Sequence, residues 1–172
     1  QVKRESRFRC TISVPWAGEQ TSAFLEVLAS LLKTRAEEGG ALRIFLGSDI
    51  SLRVRERFEC LKCCRVDPFG SNYLETLKRS QTAIIFGGYN SLVDVMAAGI
   101  PALAVLRNMR DQEQQQHLWA LVKKLPDRLS AVEEHDCLNS PSLLDTKLSA
   151  LFAAAGGRPD RHGINLSGAE HA

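Results

Sequence analysis

Short runs that are apolar at every position, separated by stretches with helical periodicity, constrain this chain more than any other feature, because such strands must be covered on both faces. Cys10–Pro15 reads as a strand, and Phe24, Val27, Leu28, Leu31 and Leu32 follow at helical spacing. Gly39-Gly40 closes that helix, Leu42–Leu46 forms a second strand, and Leu52–Phe58 a short charged helix. A weaker strand at Cys64–Val66 leads to a helix at Asn72–Arg79, and Ala83–Phe86 is a wholly apolar strand. Leu92–Ala98 is helical and Gly99 ends it, while Pro101 blocks continuation before the strand Ala102–Leu106. A helix over Asp111–Lys124 is closed by Pro126, Leu129–Val132 supplies a sixth strand, and Leu143, Leu144, Leu148, Leu151 and Phe152 mark a last helix opened by Ser140-Pro141. The alternation predicts an α/β fold, a doubly wound Rossmann-like parallel sheet of about six strands.

At 172 residues, 44% apolar and 24% charged, the chain can bury a full core without disulfides, and its composition excludes disordered, collagen-like and disulfide-scaffold classes. A net charge of +2 with no basic stripe argues against nucleic acid as the main ligand. Cys60, Cys63 and Cys64 lack the second ligand pair that a structural zinc site needs, so reduced thiols are expected and no metal. No apolar run approaches the ~20 residues that span a bilayer, and no signal-peptide core is present, so a cytoplasmic location is expected. Lys3, Arg4, Arg7 and Arg9 read as a solvated basic lead. The start at Gln1, and a helix hinted at by Ile164, Leu166 and Ala169 that stops at Ala172, suggest part of something longer. Residues 1–9 are then a linker from a preceding domain, 10–155 the folded domain, and 156–172 a tail with the start of a closing helix.

In a sheet of order 3-2-1-4-5-6, ligands bind where strands 1 and 4 lie side by side and their crossovers diverge. The loops there are Trp16–Gln20 and Gly87–Ser91, with Arg107–Glu113 beside them. Gly87 and Gly88 carry no side chain to hold a ligand off, so backbone N–H groups can approach a phosphate at the positive end of the following helix. The same residues also suit a plain tight turn, with Ser91 to Asp94 as a capping box. The G-x-G-x-x-G of a nicotinamide site is missing after the first strand, and no cofactor is implied.

The run G-G-Y-N-S-L-V-D-V-M-A-A-G-I-P-A-L-A-V-L-R-N-M-R-D-Q-E-Q-Q-Q-H-L-W-A-L, from Gly87 to Leu121, resembles the C-terminal donor-binding domain of family 28 glycosyltransferases, which have the two-domain GT-B fold. It is similar above all to a bacterial group of predicted glycosyltransferases with G-G-Y-N-T, an acid, G-x-P, a strand ending in P-R, and an E-Q pair. Asn165-Leu-Ser-Gly-Ala169 resembles the start of that family's closing helix.

The resemblance implies that Gly87, Gly88, Asn90 and Ser91 receive the donor phosphates and that Asp94 takes the ribose hydroxyls, where the family usually has the longer Glu. It implies further that Glu113 and Gln114, with Gln115 as the alternative, read the sugar, and that Arg107 meets the base or a phosphate. Only Gly18 remains of the glycines that the family has after strand 1. The donor implied is a nucleotide sugar, foremost a UDP-sugar. The acceptor site and catalytic base are expected in an N-terminal domain of the same or a partner chain, with any peripheral membrane contact made through that half. Nothing in this chain supplies a convincing base, so the catalytic residue is unknown and the chain alone is expected to be inactive. The departing nucleoside diphosphate would be stabilised by fixed N–H dipoles without a metal, for no Asp-x-Asp motif is present. A non-catalytic nucleotide-sugar-binding subunit and half of a sugar-nucleotide epimerase or hydrolase remain open.

Overall fold

Strands that are buried on both faces have only their hydrogen-bond edges free, so they assemble side by side and leave the helices to cover them. The computed structural model describes residues 8–107 and 112–156. Its strands are β1 Phe8–Val14, β2 Leu42–Leu46, β3 Cys64–Pro68, β4 Ser80–Phe86, β5 Ala102–Leu106 and β6 Leu129–Glu133. They form one parallel sheet of order β3-β2-β1-β4-β5-β6. The helices are α1 Glu19–Thr34, α2 Leu52–Glu59, α3 Tyr73–Lys78, α4 Tyr89–Ala98, α5 Gln112–Lys124, α6 Glu134–Asn139 and α7 Pro141–Ala153.

Alternate strand residues feed two cores. Ile12, Ile44 and Phe86 pack with Phe24 and Leu28 of α1, Phe58 of α2 and Leu148 of α7 on one face. Ile85, Ala104 and Ala131 pack with Leu77 of α3, Val95 of α4 and Leu118 of α5 on the other. The chain winds outward from β1 with α1 and α2 on one face, crosses back along α3, and proceeds from β4 with α4 and α5 on the opposite face. The carboxyl ends of β1 and β4 therefore stand together with their following helices on opposite sides.

The elements follow the sequence reading with instructive departures. β1 takes in Phe8 and Arg9, ahead of the expected start of the domain, and ends before Pro15. β4 begins at Ser80 rather than Ala83, because its polar half is buried with its hydroxyls satisfied. Thr11 Oγ1 and Ser80 Oγ bond at 2.6 Å, and Thr82 Oγ1 donates to the Arg9 carbonyl at 2.7 Å. α6 is an element that the periodicity does not announce. Asp111, the expected first residue of α5, and the expected tail from 157 onward lie outside the described residues. No described helix is long and apolar enough to cross a membrane.

Candidate functional site

The site is built on the entry to α4. That helix begins at Tyr89, and its N-cap is Gly88 in an extended conformation (φ −129°, ψ 152°) with no side-chain cap. Ser91 is thus the third helical residue, and the capping box that Ser91 and Asp94 offered as the alternative does not form. Leu92 is the first residue to donate back, to the Gly88 carbonyl at 3.1 Å. The N–H groups of Gly88, Tyr89, Asn90 and Ser91 find no acceptor among the described residues. Bare amides at the positive end of a helix dipole make a ready anion site.

The two glycines divide their roles. Neither has positive φ, so both serve space rather than backbone freedom. Gly87 donates its N–H to the Val105 carbonyl at 2.8 Å, the last rung between β4 and β5. A Cβ on it would sit 2.7 Å from Leu106 Cδ2 and 3.3 Å from Val105 O. Its amide is therefore committed to the sheet, while the residue itself borders the pocket beside the helix start. A Cβ on Gly88 would meet nothing within 4 Å, so this residue borders open space.

Gly87, Gly88, Arg107 and Gln115 line one pocket with Tyr89, His117 and the leucines of α4, β5 and α5. Gln115 is half-buried, and its Nε2 donates to Glu133 Oε1 at 3.1 Å. Glu113 is exposed on the first turn of α5 and takes no part in lining that pocket; the side chain of Gln114 lies outside the described residues. Asn90 and Ser91 stand at the mouth of α4. Asp94, a turn further on, is half-buried toward α3, and burial pushes its carboxyl above the ordinary aspartate value. Its neighbour is Tyr73, whose hydroxyl is raised by burial and further by the Asp94 charge, and which reaches Ser13 Oγ at 3.4 Å. Asp94 thus presents a partly desolvated acceptor, the chemistry that suits paired hydroxyl donors.

Across the crevice, Gly18 caps α1 in an extended conformation (φ 168°) that any residue adopts. Trp16 meets Phe86 edge to face at 6.4 Å, and the Arg107 guanidinium lies 4.2 Å from the centroid of the indole. Glu134, at the start of α6, is 1% exposed, and its Oε1 accepts from Thr21 Oγ1 at 2.7 Å. Burial raises the Glu134 carboxyl, against the lowering effects of the Thr21 bond and the Arg107 charge. Glu134 Oε2 and Trp16 Nε1 are buried without partners among the described residues. Sequence reasoning misses Thr21 and Glu134; the available signals are a hydroxyl in the first turn of a helix and an acid just past a strand's carboxyl end. The described residues contain no cluster of His, Cys, Asp or Glu able to hold a metal.

No protein-family model and no curated protein matches the sequence. Solved structures do match. The glycotransferase of kitacinnamycin aligns with 90% of this chain at 13% identity and a TM-score of 0.60. A putative UDP-N-acetylglucosamine 2-epimerase from Listeria monocytogenes aligns with 91% at 15% identity and a TM-score of 0.54. Os79 from O. sativa in complex with UDP aligns with 89% at 14% identity and a TM-score of 0.51. The chain spans 36%, 42% and 35% of the lengths of these structures, respectively. Its fold is the Rossmann-like half of a GT-B architecture.

Proposed function

We propose that this chain binds the diphosphate of a nucleotide sugar, foremost a UDP-sugar, as the donor half of a glycosyltransferase of the family 28 type. One observation carries the reading: the N–H groups of Gly88, Tyr89, Asn90 and Ser91, which find no acceptor among the described residues, at an uncapped helix start where the sheet's winding reverses. The fold neighbours support it, for they include a glycotransferase, a UDP complex and a sugar-nucleotide epimerase.

In this reading the α4 amides hold the phosphates, Asp94 accepts from the ribose hydroxyls, and Gln115, with Glu113 and Gln114 on the same turn, meets the sugar. As the glycosidic bond breaks, negative charge gathers on the departing diphosphate, and fixed dipoles stabilise it with no reorganisation. The acceptor site and base belong to a partnering N-terminal domain, in a cytoplasmic protein that meets the membrane, if at all, through that domain. The epimerase neighbour supports a second reading, in which the same donor site serves sugar isomerisation.

A thermal-shift panel with UDP, GDP, dTDP, ADP and NAD tests the proposal. A ligand at 100 times its dissociation constant adds about 2.7 kcal/mol, which raises the melting temperature by about 2–4 °C per kcal/mol for a chain of this size. UDP is expected to stabilise most; an equal or larger response to NAD refutes the assignment. Product analysis of the full enzyme with and without acceptor separates transfer from isomerisation.

A further inference from the structure

Arg107 and Glu134 directly follow Leu106 and Glu133, which pair in register between β5 and β6, so the two charged residues stand side by side past the strand ends. Arg107 Cζ lies over the Trp16 ring, 4.2 Å from its centroid, and the residue also lines the pocket beside Gly88. Glu134 is pinned by Thr21 at 2.7 Å, is 1% exposed, and keeps Oε2 without a partner among the described residues. A guanidinium is a flexible group that holds one orientation only when something fixes it. Here an aromatic face lies against it, and a buried carboxylate acts on it through its charge without an ion-pair contact.

We propose that Glu134 is a positioning residue, which holds the Arg107 guanidinium on Trp16 as a fixed cation beside the amide cradle of α4, so that it meets the donor's diphosphate without reorganising. The inference rests on the donor reading above and deepens it. A buried acid with one oxygen unbonded is a poor structural device, since the unmet acceptor is a cost to folding. The Arg107 charge acts on it across the gap between the two strand ends. Glu133, the other acid at this edge, is engaged by Gln115.

The test is UDP titration of the 172-residue chain as wild type, Glu134→Gln, Arg107→Ala and the double variant, with the melting temperature of each. Gln has the shape of Glu and can still accept from Thr21. Glu134→Gln should lose about tenfold in UDP affinity, the scale of coupling between neighbouring charged groups, with a melting temperature at neutral pH no lower than wild type. The double variant should bind no more weakly than Arg107→Ala, because the acid acts through that cation. Unchanged affinity in Glu134→Gln, or losses that add in full, overturns the positioning role. If affinity is lost in Gly88→Val but kept in Glu134→Gln, the donor site stands and this inference falls. If the wild-type chain binds no UDP, both fall.

Discussion

Substituting the two glycines of the loop separately should give opposite results. In Gly88→Val the new Cβ enters open space, and the extended backbone (φ −129°, ψ 152°) suits valine. Removing a glycine lowers the entropy of the unfolded chain, worth about 0.4–1 kcal/mol, while valine is a poorer N-cap by a comparable amount. The two effects oppose, and stability should stay within about 1 kcal/mol of wild type. Binding should not survive, because the isopropyl group occupies the approach to the amides. Two hydrogen bonds to a charged phosphate at about 1.5–3 kcal/mol each amount to a loss of roughly 10²- to 10⁴-fold in UDP affinity. Gly87→Ala reverses the pattern. Its Cβ would stand 2.7 Å from Leu106 Cδ2 and 3.3 Å from a backbone oxygen, an overpacking expected to cost about 1–3 kcal/mol. Calorimetric UDP titration and thermal melts on both variants provide the assay. Equal destabilisation by the two substitutions, or wild-type UDP affinity in Gly88→Val, refutes the division of labour.

Asp94→Asn replaces a pure acceptor with a group that is half donor, so discrimination of UDP over its 2′,3′-dideoxy analogue should shrink by about tenfold, the worth of one charged hydrogen bond, as measured by competition; undiminished discrimination places the ribose elsewhere. The Glu134 carboxyl, raised chiefly by burial, binds its proton more tightly in the folded chain than in the unfolded one. Its contribution to stability is therefore complete below the ordinary glutamate value and is lost as pH rises through the elevated one. The melting temperature of Glu134→Gln minus that of wild type should accordingly grow from acid to neutral pH, and a flat or falling difference contradicts the assigned environment.

The doubly wound sheet is legible because strands such as Leu42–Leu46 and Ala102–Leu106 are buried at every position and so are apolar throughout. Ser80–Thr82 hides the start of β4, since its buried hydroxyls are satisfied by Thr11, Thr76 and Arg9, on other elements. The start of α4 is misread for a different reason. Ser91 and Asp94 have the spacing of a capping box, yet the bare N-cap is Gly88, and a local pattern does not say where the helix begins. The glycine pair is visible as a site, but the separate duties of Gly87 and Gly88 depend on Leu106 and Val105 of the neighbouring strand. The meeting of Trp16, Thr21, Arg107 and Glu134 is equally non-local, since parallel winding gathers the ends of distant strands at one edge.

Backbone amide resonances followed during UDP titration test the anion cradle most directly. The account predicts that the protons of Tyr89, Asn90 and Ser91 move downfield and exchange more slowly with solvent as the site fills, while Gly87, already bonded to Val105, barely responds. Shifts confined to the start of α1 or to the pocket leucines, with the α4 amides unmoved, contradict it.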